Sequence, residues 1–172
     1  NITIGIIDTG IDYNHADLGG GFGSNYKVKG GYDFVNKDSD PMDDNGHGTH
    51  VAGIAAANGT NLKGAAPDAK LYAFKVLDNY GSGWDSWILA AIERVLDPDQ
   101  NPATDDAIDV VNMSLGRAPG TDDPISEAVN NAVSQGVVFV VAAGNSYDYG
   151  TVSTPGVAEK AITVGATDIS DF

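Results

Sequence analysis

Three short stretches carry side chains whose type and setting could do chemistry. The first is Ile6-Ile7-Asp8-Thr9-Gly10-Ile11-Asp12, which places a carboxylate at the end of an apolar run. A buried carboxylate is costly unless it is hydrogen-bonded or paired, and the glycine two residues on permits a sharp turn. The second is Asn45-Gly46-His47-Gly48-Thr49-His50-Val51-Ala52-Gly53. Glycines on both sides leave the His47 imidazole accessible, and histidine is the natural general base near neutral pH. The third is Val140-Val141-Ala142-Ala143-Gly144-Asn145-Ser146, an apolar run ending in a carboxamide. An amide fixed at a strand end is a ready donor to a developing oxyanion.

Each stretch has a plainer reading: Asp8 capping a turn, His47 on a glycine-rich surface, Asn145 in a left-handed turn. Two competing chemistries also arise. Apolar-apolar-Asp-Thr-Gly marks aspartic proteases, but those are all-β and need a second such carboxylate, and this chain holds no second copy. His47 and His50 could ligate a metal at i, i+3, yet no third ligand stands at a recognisable spacing.

The elements that must position these groups alternate. Strands are predicted over residues 2–8, near 32–35, and over 70–77, 109–115, 137–143 and 160–166. Helices are predicted over 50–58, 84–96 and 124–135. The second has Trp87, Ile88, Ala91, Ile92 and Val95 at helical spacing; the third opens on Pro124 and is followed by Gly136. The run over 137–143 reads as a central strand buried on both faces. Repeated strand–helix–strand units make the chain α/β: a parallel β-sheet with helices on both faces. Ligands bind at the C-terminal ends of such strands, where Asp8 and Asn145 stand.

The 172 residues suffice for one domain or a large piece of one, and the 22 glycines and 42% apolar content suit a globular chain. No apolar run approaches the ~20 residues of a membrane span, and no signal-peptide pattern opens the chain. Cysteine is absent, which excludes disulfides and thiolate chemistry. A net charge of −15 repels nucleic acid and anionic lipid. Four of the 24 acids, Asp38, Asp40, Asp43 and Asp44, cluster just before His47. That cluster reads as a solvated acidic loop, or else as a group that binds a cation or favours a basic substrate residue. Asn58-Gly59-Thr60 fits a glycosylation sequon, which has meaning only outside bacteria.

Taken in order, Asp8-Thr9-Gly10-Ile11-Asp12, His47 to Gly53, Gly64-Ala65-Ala66-Pro67, the Leu71–Leu77 strand, Asn112-Met113-Ser114-Leu115-Gly116, Ala142 to Asn145 and Ala161 to Ala166 resemble the subtilisin-like serine protease (subtilase) family. The resemblance spans essentially the whole chain. It implies the family's three-layer sandwich, with its C-terminal part missing from residues 1–172. It implies a secreted or cell-surface bacterial peptidase whose partner is a polypeptide substrate. By the resemblance Asp8 is the triad carboxylate, His47 the general base and Asn145 the oxyanion donor, while His50 points into the helix packing. Ser114, Leu115 and Gly116 match the strand that pairs with substrate backbone, and Ala143 and Gly144 a wall of the specificity pocket. Asp17 matches a calcium-ligating Asp of many members, although the loop over 58–63 that would complete the site is short.

No serine here has the family's nucleophile context, neither Ser114 within a strand motif nor Ser146 after the oxyanion Asn. The expectation is a peptidase whose Ser lies on a remaining part of the domain, outside this chain, so that this polypeptide alone is inactive. The alternative is a pseudo-protease or peptide-binding module that uses the cleft without chemistry.

Overall fold

The computed structural model describes residues 2–60, 62–104, 106–118 and 123–167; Ser170 lies outside them. Six strands form one sheet: β1 (Thr3–Asp8), β2 (Val28–Asp33), β3 (Lys70–Lys75), β4 (Val110–Met113), β5 (Val138–Ala142) and β6 (Ile162–Val164). Their spatial order is β2-β3-β1-β4-β5-β6, and every pairing is parallel. Three helices cross between strands: α1 (His47–Ala56), α2 (Asp85–Arg94) and α3 (Pro124–Ser134). The parallel sheet with helices on both faces, expected from the alternation, is present.

The two-residue period of a strand decides which side chains meet which helix. On one face Ile4, Ile6, Val28, Leu71 and Ala73 pack against Ala52 and Ala56 of α1. On the other, Ile7, Phe74, Val111, Met113, Phe139 and Val141 meet Ile88, Ala91 and Ile92 of α2 and Ile125, Val129 and Ala132 of α3. Asp8 shares the parity of Ile4 and Ile6, so it emerges on the face that α1 covers. Lys75 shares that of Leu71 and Ala73 and emerges beside it.

Four expectations need correction. Helix α1 begins at His47 rather than His50, because Gly46 takes a left-handed φ of 101° and starts the helix there. Strand β2 lies at Val28–Asp33, ahead of residues 32–35. Its Gly30 and Gly31 are what hide it from a propensity reading, yet a Cβ at Gly31 would stand 1.9 Å from the Ala73 carbonyl oxygen. Strand β6 is three residues long. Strand β5 is buried on one face only: Phe139 and Val141 are inside, whereas Val138 is 41% exposed. Helix α1 sits over β1 and β3. The same face of β5 and β6 is left with Val138, Ile162 and Val164 open to solvent.

Candidate active site

Asp8 ends β1 fully buried, and His47 opens α1 with its side chain half exposed. His47 Nδ1 and Asp8 Oδ1 are 2.7 Å apart. The same oxygen accepts from the Thr9 backbone N–H at 2.7 Å, and Asp8 Oδ2 is buried without a hydrogen-bond partner among the described residues. Burial pushes the Asp8 carboxyl above its ordinary range, partly offset by the hydrogen bonds from His47 and Thr9. A carboxylate so placed fixes the ring and stabilises an imidazolium, and it leaves the second ring nitrogen free for proton transfer. Among the described residues no serine hydroxyl is bonded to that nitrogen.

His47 faces a cleft of about 960 Å³. Ser114, Leu115, Gly116, Gly144 and Asn145 line it with His47. Ser114, Leu115 and Gly116 follow the end of β4 rather than lying within it. The Asn145 carboxamide makes no hydrogen bond within the described chain, so its donors are available to the cleft. Ala143 does not line it; its N–H pairs with Val164 and its carbonyl accepts from Ser153, while the neighbouring Ala142 forms the lining. His50 is exposed instead of packed inward. With α1 starting at His47, the buried positions fall at Gly48, Ala52, Gly53 and Ala56.

Three members of the acidic loop, Asp40, Asp43 and Asp44, accept side-chain hydrogen bonds from elsewhere in the chain. Asp40 accepts from the Tyr13 hydroxyl at 2.6 Å, and this bond, more than burial, pushes Tyr13 up to about 12. Asp44 accepts from Lys75 Nζ at 2.6 Å; the lysine, 1% exposed, also donates to the carbonyls of Thr9 and Leu77. Asp43 accepts from the Thr9 and Thr49 hydroxyls and from the N–H groups of Asn45, Gly46 and Thr49. Thr9 Oγ1 in turn accepts from Gly48 N–H at 2.8 Å. Asp43 thus ties the residue after Asp8 to the residues flanking His47. Sequence reasoning missed Thr9, Thr49 and Lys75, and read Asp43 only as one member of an acidic cluster. A visible signal existed only for Lys75, a lone cation closing the strand Lys70-Leu71-Tyr72-Ala73-Phe74-Lys75.

Burial raises the Asp43 carboxyl, but the bonds from Gly46, Thr49 and Asn45 outweigh it and hold it below the ordinary 3.8. A carboxyl depressed in the folded state stabilises above the unfolded pKa and loses that contribution as the pH falls through the folded one. Asp43→Asn is therefore expected to cost about 1–3 kcal/mol at pH 7. Urea titrations should show the gap from wild type closing below pH 3.8; a gap constant with pH would refute the assignment.

Asp17 is half-buried and lies against the 58–63 loop: a Cβ at Gly59 would stand 1.8 Å from its Oδ1, and Asn58 N–H donates to its carbonyl. It lines a small pocket together with Lys27, Asn58 and Asp68. The described residues that gather three carboxylates are Asp97, Asp99 and Asp106, with one oxygen from each within 4.8 Å of the others. Such oxygens are of the kind calcium takes. Burial and the Asp99 and Asp97 charges push Asp106 upward.

With this geometry in place, comparison with known proteins is decisive. The family model of the subtilase family matches residues 1–172. The chain belongs to the subtilase family. The minor extracellular protease Vpr of Bacillus subtilis is 47% identical over 98% of the chain and 21% of its own length. Thermitase of Thermoactinomyces vulgaris is 43% identical over 98% of the chain and 56% of its own length. The crystal structure of a cold-adapted subtilisin-like serine proteinase superposes with a TM-score of 0.79 at 34% identity, covering 98% of this chain and 55% of that one. The subtilisin-like α/β fold is thereby established, and the chain spans little more than half, or less, of these relatives' lengths.

Proposed function

We propose that this subtilase chain is the Asp- and His-bearing portion of a serine endopeptidase, and that its nucleophilic Ser stands on polypeptide outside the 172 residues. One observation carries the reading: the 2.7 Å Asp8–His47 pair opening onto the cleft. In this reading His47 takes the proton of the serine hydroxyl as it attacks the scissile carbonyl, then returns it to the leaving amine. Asp8 keeps the ring in the tautomer that accepts that proton. The Asn145 carboxamide donates to the oxyanion. The backbone over 114–116 aligns the substrate by strand-like pairing, and Gly144, with Ala142 rather than Ala143 beside it, belongs to the wall of the specificity pocket. Calcium has no part in bond breaking; it would act as a structural ion, with Asp17 as one ligand.

The open apolar face of β5 and β6 supports the missing-segment reading. Val138, Ile162 and Val164 lie on the side of the sheet that α1 occupies, and an apolar face of this kind is normally covered. A further segment docked there would share the face of the sheet that α1 covers. The Bacillus subtilis relative is named an extracellular protease, and we assign the parent of this chain the same location.

The 172-residue chain alone should show no turnover of peptide substrates and no labelling by serine-directed phosphonates, while its parent polypeptide shows both. Stoichiometric phosphonate labelling of the isolated chain would sink the proposal.

A further inference from the structure

Among the described residues three charged side chains are buried, and they stand in one row. Asp33, Lys75 and Asp8 end the adjacent strands β2, β3 and β1 in register with one another, and are 2%, 1% and 0% exposed. The Asp33 oxygens accept from the Val35 and Asn36 N–H groups and the Asn36 carboxamide, closing the turn after β2. Asp8 accepts from His47 and Thr9. Lys75 bonds to neither of these neighbours; its ammonium reaches past the strand ends. Nζ donates to the Thr9 carbonyl at 2.8 Å, the Leu77 carbonyl at 2.9 Å and Asp44 Oδ1 at 2.6 Å. An ammonium offers three donors and no acceptor, so every donor is used.

The three acceptors belong to separate segments. Thr9 follows Asp8; its N–H donates to the Asp8 carboxylate, and its hydroxyl accepts from the Gly48 N–H of α1. Leu77 leaves β3 and, with Val76, donates its N–H to the Asp8 carbonyl. Asp44 stands three residues before His47, in the loop that Asp43 ties to the start of α1. One nitrogen thus joins both halves of the catalytic pair, through backbone on the Asp8 side and through the loop on the His47 side. Stability alone does not call for a cation here, since an apolar side chain of similar volume often replaces a buried ion at no loss. An apolar chain is held by a non-directional force. The ammonium instead keeps each acceptor within the narrow range of a hydrogen bond.

We infer that Lys75 is a positioning residue for the reaction: its ammonium sets the spacing of Asp8 and His47 by holding Thr9, Leu77 and Asp44 in one frame. The inference rests on the peptidase reading.

The test compares the complete protease as wild type, Lys75→Met, Asp44→Ala and Asp44→Asn, by steady-state kinetics and by proton NMR of the His47 Nδ1–H that faces Asp8. Methionine keeps an unbranched chain and removes the donors. Lys75→Met should lower kcat about 10²-fold, the loss expected of misplacement on the ångström scale, with KM changed less than about twofold. The Nδ1 proton resonance should move from its wild-type position. The Asp44 side chain is 52% exposed, so its removal leaves the core intact. Asp44→Ala should lower kcat about tenfold for the loss of one charged hydrogen bond, again with KM unchanged. Asp44→Asn keeps an oxygen for the ammonium and should recover most of that loss. A Lys75→Met enzyme that is merely less stable, with wild-type kcat and resonance, overturns the inference. Equal losses from the two Asp44 variants overturn it as well, because they report a lost charge and not a lost acceptor. If Lys75→Met does not fold, the Asp44 variants decide alone. A wild type without turnover refutes only the peptidase reading, since the resonance still shows whether Lys75 and Asp44 set the Asp8–His47 pair.

Discussion

His47→Ala in the complete protease is expected to lower turnover by about 10⁶-fold while KM changes little, a magnitude carried over from the related subtilisin rather than worked out from this geometry. Among the described residues the ring is the one acid–base side chain that both bonds to Asp8 and lines the cleft. Without it no base accepts the serine proton and no acid returns one to the amine. In the proposed function substrate binding relies on the 114–116 backbone, which the substitution does not touch. Asp8→Asn should cost less, about 10⁴-fold, because the ring survives but its tautomer is no longer enforced. Steady-state kinetics on both variants, with kcat and KM separated, decide the point. Equal losses in both, or a loss confined to KM, would be incompatible with these roles.

The Asp8 substitution has a second readout. Burial raises the Asp8 carboxyl, so the folded state binds its proton more tightly than the unfolded chain does. Its ionisation therefore opposes folding as the pH rises through the shift. Asp8→Asn should be nearly inactive and yet more resistant to denaturant at pH 7 than wild type. That combination is expected of a functional site held at the expense of stability.

How much of this was legible beforehand depended on the range of the interaction concerned. Asp8 was visible because an apolar run, a carboxylate and Gly10 lie within a few residues of one another. Gly10 has φ 107°, and a Cβ there would stand 2.6 Å from the Pro41 carbonyl. His47 was visible because its flanking glycines mark the helix start, although the start itself was placed three residues late. What the acidic loop does was hidden, since the bonds that tie it to the strand ends run from Asp43 to Thr9 and from Asp44 to Lys75, 34 and 31 residues apart. An ion pair between Asp85 and Arg117 likewise spans 32 residues. Strand β5 was misread for a different reason: a β-branched run has the same appearance whether one face is covered or both. Only the placement of α1 over β1 and β3 separates the two cases.

The second large effect concerns Gly48, which sits in the first turn of α1 and is buried. A Cβ there would stand 2.1 Å from the Gly10 carbonyl oxygen, 3.1 Å from Thr9 Oγ1 and 3.2 Å from Asp8 Cβ. The first of these is a backbone atom, so no side-chain rotation relieves the clash and the start of α1 must retreat by roughly 1 Å. His47 travels with it, away from the carboxylate that orients it. Misplacement on that scale costs about 10²-fold in rate, and the forced overpacking about 1–3 kcal/mol of stability. Gly53 of the same helix supplies the contrast. It is also buried, but a Cβ there meets nothing closer than Leu62 Cδ2 at 3.9 Å. Gly53→Ala should leave activity intact and stabilise the helix by up to about 1 kcal/mol. Opposite signs from the same chemical change in one helix distinguish the close approach at Gly48 from any general intolerance of α1. Denaturant titration and kcat/KM on both variants in the complete protease test this. If Gly48→Ala kept full activity, the seating of α1 against Asp8 could not be what holds the catalytic pair together.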